Sequence, residues 1–330
     1  MTTAPAALVT ATARGLYCPA GDFYIDPRRA VQTAVITHGH GDHLRGGHAR
    51  YILARRGAAI ARARLSRRSD ITALDYGAPM RLGATTVSLH PAGHILGSAQ
   101  VRIEHAGEVW VVSGDYKRQA DPTCEPFERL PCDVFVSEST FAQPVYRWPE
   151  TAAVVRDIAT WWDANRRRGL TSVLFCYALG KAQRLLAELM SVTAECVYVH
   201  GALTQLIAVY REAGIAMLPT LAATAERMRE MRGALVIAPP HLARASSLGR
   251  CGEHRRALCS GWMCVPGAAE RRGYDQGFVI SDHADWPALV RTCLESGARR
   301  VLLTHGDAGA LARHLSEQGV TASELSCPSG

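Results

Sequence analysis

Apolar positions along this chain follow two rhythms. Short continuous runs end abruptly in polar residues: Ala34, Val35 and Ile36 stop before His38, VWVV before Asp115, VFV before Glu138, and VLL before His305. Runs of this length bounded by polar residues predict buried strands. Alternation is clearer in LYCPAGDFYID, closed by Pro27, and in AQVRIEH, and both predict strands of a meander. From residue 149 the character becomes helical. Val154, Val155, Ile158, Trp161 and Trp162 recur at helical spacing, predicting a helix over Thr151 to Arg167. TSVLFCYALGKAQRLLAEL then reads as strand, turn and helix, followed by the strand CVYVHG, the helix LTQLIAVYREAG, a helical stretch near Glu226 and the strand ALVIAPP. Strands and helices alternating at this spacing imply a parallel sheet with crossover helices. A helix is expected to start near Asp285, after the apolar run QGFVIS.

Composition narrows the class. At 330 residues, 48% hydrophobic and 20% charged, the chain has the make-up of an ordinary soluble protein with room for one large domain or two moderate ones. No segment approaches membrane-spanning length, and MTTAPAALVT lacks the basic residues and apolar core of a secretory signal, so no membrane association and a cytoplasmic location are expected. The ten cysteines are scattered, several within apolar runs, and no CxxC pair occurs. Buried free thiols are expected, without a structural zinc ribbon. The formal net charge is +7, with arginines clustered at 62 to 68, 166 to 168, 255 to 256 and 271 to 272. Charge runs are often only solvated faces, but beside a metal site they favour a polyanionic substrate.

The candidate chemistry begins at TAVITHGHGDHLRGGH. His38, His40, Asp42 and His43 crowd into six residues, separated by Gly39 and Gly41, whose conformational freedom lets a loop turn its side chains onto one point. Imidazole and carboxylate together suit zinc or manganese, and ligands this close can serve two neighbouring ions. An incidental polar loop is the bland alternative, and so dense a set seldom arises by chance. Later candidates are weaker alone. Asp26 precedes Pro27 and can be a turn former, His94 sits between Gly93 and Gly97 before a strand, and Asp115, Glu138, His283 and His305 each stand at a strand end. Gly180 and Lys181 open a helix, either as a structural turn or as a phosphate seat.

Together these segments resemble the metallo-β-lactamase fold, in its β-CASP nuclease branch, and within that the bacterial DNA-ligase-associated exonucleases. The resemblance rests on His38-x-His40-x-Asp42-His43, the AGHILGS around His94, SGDYK around Asp115, VSEST around Glu138, ALGKAQ, SDHADWP around His283 and THGD at His305, with LYCPAGDFYIDP and FAQPVYRWP in support. It covers essentially the whole chain. It implies an α/β fold, a metallo-β-lactamase αββα sandwich with an inserted compact β-CASP α/β subdomain. Residues 1–148 would form the first part of the sandwich, 149–275 the insertion and 276–330 the return.

The resemblance further implies two divalent ions, zinc or manganese. His38, His40, His94 and Asp115 would hold one, and Asp42, His43, the shared Asp115 and His305 the other. Asp26 would accept a hydrogen bond from the metal loop without binding metal. Asp42, His283 and Glu138 would act in catalysis, His283 protonating the leaving oxygen while Glu138 orients it. Lys181 and Ser281 are candidate phosphate contacts. The implied activity is two-metal phosphodiester hydrolysis of nucleic acid, most specifically DNA exonuclease action in ligase-associated repair, with functional association to a DNA ligase and a helicase. His305 is the position that pulls towards RNA 3′-end processing, the alternative. A non-catalytic β-CASP partner is disfavoured because no ligand position is missing, and a small-molecule hydrolase is disfavoured by the charge and by the Glu138, His283 and His305 set.

Overall fold

The computed structural model describes residues 7–224, 226–227, 230–243 and 253–325. The chain forms two compact units. The first comprises Met1–Ala120, Cys124–Pro144 and Trp286–Gly330, and the second Asp121–Thr123 and Val145–Asp285. It is a mixed α/β protein with three sheets and, among the described residues, seven α-helices.

The first unit contains two of the sheets. One has six strands in the order Thr10–Thr12, Gly15–Cys18, Phe23–Ile25, Thr33–Val35, Arg50–Ala54 and Asp70–Leu74. The other has seven, in the order Thr321–Glu324, Arg300–Thr304, Val134–Glu138, Glu108–Val112, Ala99–His105, Thr85–Pro91 and Met80–Leu82. Phe23, Ile25, Val35 and Ile52 of the first sheet share one buried cluster with Val87, Val101, Ile103, Trp110, Val112 and Val136 of the second, so the two sheets face each other across a common core. On the first sheet's opposite face, Ala34, Ile36, Tyr51 and Leu53 pack against Ala58 and Ala61 of the helix Ala58–Arg64. This sheet is therefore covered on both faces, which is why its strand at Thr33–Val35 reads as a continuous apolar run. The same reasoning applies to Val134–Glu138. It is buried at all five positions, with parallel neighbours Glu108–Val112 and Arg300–Thr304.

The second unit has one six-stranded sheet, ordered Thr220–Ala222, Val197–Val199, Leu235–Ala238, Thr171–Phe175, His254–Cys259 and Gln276–Phe278, with every pairing parallel. The helix Thr151–Arg167 buries Val154, Val155, Ile158 and Trp162, the apolar stripe that the spacing anticipates, and Trp162 Nε1 donates to the Gly233 carbonyl at 2.9 Å. The helical stretch expected near Glu226 falls partly outside the described residues, and Glu226 and Arg227 themselves lie in a turn. The eight cysteines among the described residues are free thiols. No helix is long and apolar enough to cross a membrane, among the described residues.

Candidate metal centre

Three chain segments of the first unit converge where its strands end. The strand Thr33–Val35 runs on to Thr37 and the HxHxDH loop, which closes on itself through Leu44 N donating to the His40 carbonyl at 2.7 Å. The strand Thr85–Pro91 delivers His94, whose amide donates to Ser98 Oγ at 3.0 Å. The strand Glu108–Val112 delivers Asp115. His38, His43, His94 and Asp115 are buried and His40 is half-buried.

The donor atoms meet at one place. His40 Nδ1 lies 3.1 Å from His38 Nε2 and 3.0 Å from His94 Nε2. Asp115 Oδ2 lies 3.5 Å from His38 Nε2 and 3.8 Å from His94 Nε2. Four donors at tetrahedral positions about 2.0–2.1 Å from a zinc ion stand about 3.3 Å apart, so the set fits a divalent cation. Hydrogen bonding among the rings is a poor substitute, because one proton on His40 Nδ1 serves only one of its two nitrogen neighbours.

The outer hydrogen bonds point to the same use. Asp26, held at φ +45°, accepts from Thr37 N at 2.8 Å, from Thr37 Oγ1 at 2.5 Å and from His43 Nδ1 at 2.7 Å. Thr37 Oγ1, having given its proton to Asp26, accepts from His38 Nδ1 at 3.1 Å. Both rings thus set Nδ1 on an oxygen partner and turn Nε2 inward, the orientation a metal ligand needs. Thr37 escaped the sequence reading, although its place directly before the histidine loop was a signal.

Electrostatics divide the histidines. Burial, with His43 beside it, drives the His38 pKa well below the ordinary imidazole range. Burial acts in the same direction on His43, but the Asp115 and Asp26 carboxylates outweigh it and hold that imidazolium well above its usual pKa. A positive charge is therefore stabilised between Asp26 and Asp115, where His43 Nε2 lies 3.4 Å from Asp115 Oδ2.

The remaining first-unit candidates surround this point. Asp42 is exposed, its Oδ2 3.7 Å from His43 Nε2. His305, exposed and at φ +56°, stacks on His43 with ring centroids 5.4 Å apart. Its backbone carbonyl accepts from Ser139 N and Ser139 Oγ at 3.1 and 3.0 Å, and a Cβ on the following Gly306 would meet the Ser139 carbonyl oxygen at 2.2 Å, so this loop tolerates only glycine there. Asp26, Asp42, His43 and His305 line one cavity of about 290 Å³. Glu138 is buried, its Oε1 accepting from Tyr116 N at 2.7 Å and its Oε2 from Thr140 Oγ1 at 2.5 Å.

His283 belongs to the second unit. It is half-buried, its amide donates to Ser281 Oγ at 3.1 Å, and its carbonyl accepts from Trp148 Nε1 at 2.8 Å. Asp285 Oδ2 accepts from the Trp148 amide at 2.9 Å, so the SDHADWP and RWP segments, far apart in sequence, are tied together. Lys181 is buried with its ammonium 3.3 Å from Asp282 Oδ2, and Arg184, fully buried, donates to the Ser281 carbonyl at 2.7 Å. Arg184 was missed because an arginine inside an amphipathic helix ordinarily signals the solvent face.

The fold and donor set define a mixed α/β protein with a histidine–aspartate cluster at its strand ends, suited to a divalent cation. The chain is 35% identical over 310 residues to a probable DNA ligase of Opitutus terrae, an alignment covering 93% of this chain and 30% of that protein. It is also 33% identical over 122 residues to the endoribonuclease YSH1 of Gibberella zeae, covering 36% of this chain and 14% of the other. The chain thus spans under a third of the length of either relative. No family model matches it. Among solved structures, it shares its fold with a protein of unknown function from Enterococcus faecalis at a TM-score of 0.59 and 10% identity, over 90% of this chain and 80% of that one.

Proposed function

We propose that the chain is a metal-dependent nuclease of the β-CASP branch of the metallo-β-lactamase fold, processing DNA ends in ligase-associated repair. The observation that carries this reading is the convergence of His38, His40, His94 and Asp115 within ligand distance of one another. The facing sheets of the first unit support the αββα assignment, and the parallel sheet of the second supports the inserted subdomain. The long alignment with a probable DNA ligase favours DNA and an association with ligation, and a helicase partner is proposed from the sequence resemblance alone.

In this reading His38, His40, His94 and Asp115 would hold one ion, zinc or manganese, and Asp42, His43, His305 and the shared Asp115 would hold a second. Ions bound there would supply charge neutralisation for a phosphodiester and an activated water for in-line attack. Asp26 holds His43 in its ligating tautomer, Asp42 accepts a proton from the attacking water, and His283, assigned through the SDHADWP motif with Glu138 as its orienting partner, protonates the leaving oxygen. The Asp26→Asn chain, which keeps the shape but weakens the anchor of His43, is expected to lose about 10- to 100-fold in metal affinity by competition with a chelating dye. His283→Ala is expected to retain full metal content while losing about 100-fold or more in rate. Loss of an ion from that variant would exchange the roles of His283 and His305.

The RNA alternative is favoured by the endoribonuclease YSH1 alignment and by a histidine at position 305. A time course with end-labelled DNA and RNA of matched sequence, in manganese or zinc, decides between them. Stepwise shortening of DNA alone supports the end-processing nuclease. Preferential cutting of RNA promotes the alternative, and cleavage of neither sinks both.

A further inference from the structure

A second depression of the first unit, of about 590 Å³, adjoins the HxHxDH loop at Gly41 and Leu44. Four arginines line it, Arg28, Arg29, Arg45 and Arg64, and no aspartate or glutamate does. All four side chains are exposed, and among the described residues none is in an ion pair, whereas Arg55, Arg56, Arg102 and Arg118 of the same unit each face a carboxylate. Four like charges gathered without counter-charges repel one another, a cost that an anionic ligand removes.

Its position gives the depression a use. Arg28 lines both this depression and the cavity that holds Asp42, His43 and His305, so one guanidinium borders both spaces. Arg64 reaches Gly41, the residue between His40 and Asp42, with its Nη2 3.2 Å from where a Cβ there would stand. Gly46 and Gly47 leave the floor near Arg45 free of side chains.

We propose that this depression seats the backbone phosphates that flank the scissile phosphodiester of a polynucleotide. The proposal rests on the nuclease reading and extends it: a strand leaves the metal centre past Arg28, and its next phosphates lie on Arg29, Arg45 and Arg64. Guanidinium groups suit this role because their planar forks pair with phosphate oxygens without reading base identity. The protein therefore favours chains with several phosphates on that side of the cut over a dinucleotide.

The test combines Arg29→Gln, Arg45→Gln and Arg64→Gln in one chain, with the corresponding three lysine substitutions in a second. Binding of a short fluorescent single-stranded oligonucleotide to the metal-free proteins is followed by anisotropy across a salt series. Kd is expected to rise about tenfold or more in the glutamine chain. The slope of log Kd against log salt falls by about 2, at roughly 0.7 per phosphate contact. The lysine chain, which keeps the charges, retains most of that slope. With metal restored, the ratio of kcat/KM for the oligonucleotide to that for a dinucleotide drops about tenfold in the glutamine chain. A wild-type Kd and slope in that chain, with circular dichroism showing it folded, overturns the proposal. Wild-type protein that binds but never cuts leaves the phosphate seat standing and sinks the nuclease reading, whereas protein that does neither sinks both.

Discussion

Asp115→Ala is expected, on the proposed nuclease reading, to abolish metal retention and to lower nucleic-acid cleavage by about three orders of magnitude or more, near 4 kcal/mol of transition-state stabilisation. The reason lies in the geometry of a single oxygen. Asp115 Oδ2 is within 3.4 to 3.8 Å of the Nε2 atoms of His43, His38 and His94, and it is the buried carboxylate those rings share. Without it, imidazoles alone remain around a space that would have to accept a doubly charged cation in low dielectric, and in the proposed two-ion reading the second ion would lose a ligand in the same stroke. Asp115→Asn separates charge from shape, since it preserves volume and removes the anion. Metal content by elemental analysis and cleavage of end-labelled substrate should fall together in both variants. Full metal content in the alanine chain would show that Asp115 does not bridge the ions.

Gly97→Ala is expected to cost about 3 kcal/mol or more and to disturb the metal site from outside it. Gly97 has φ +75°, and a Cβ there would stand 2.1 Å from Gly57 N and 2.2 Å from its Cα. Those are backbone atoms at the start of the helix Ala58–Arg64, so neither side yields by rotating a side chain. The loop that must move is the one that fixes His94, through His94 N donating to Ser98 Oγ at 3.0 Å and Ser98 N to the Ile95 carbonyl at 2.9 Å. Urea unfolding of the metal-free chain reports the first effect as a lower midpoint with an unchanged slope. Metal affinity, measured where the variant is still folded, reports the second. An unchanged midpoint would mean that the Gly57 and Gly97 backbones can separate without loss.

Strand ends were the most legible part of the sequence. A covered strand must be apolar throughout, so the position where VITH, VVSGD, VFVSE or VLLTH turns polar marks where the chain reaches the rim of its sheet, and the candidate site residues His38, Asp115, Glu138 and His305 stand at those positions. The parallel sheet of the second unit was readable for a related reason, since parallel neighbours require crossovers and the crossovers show as helical periodicity between apolar runs. The helix Thr151–Arg167 carries its own stripe and needed no tertiary information.

Other features depended on residues distant in sequence. Nothing local shows that Asp26 reaches Thr37 and His43, that Trp148 holds the His283 segment, or that Arg184 is buried beside Asp282, because each of these polar groups is accounted for only by a partner brought near by folding. The arginines at 28, 29, 45 and 64 look in sequence like scattered surface charge, and only the fold collects them into one depression without a carboxylate. The sequence by itself determined which side chains have the chemistry to bind a cation and that they stand at strand ends, since hydrophobic burial imposes that pattern locally. The tertiary structure alone decided which of them meet, which nitrogen of His38 and His43 faces inward and which charges stay unneutralised, because distances, tautomers and ion pairs depend on where separate segments are packed.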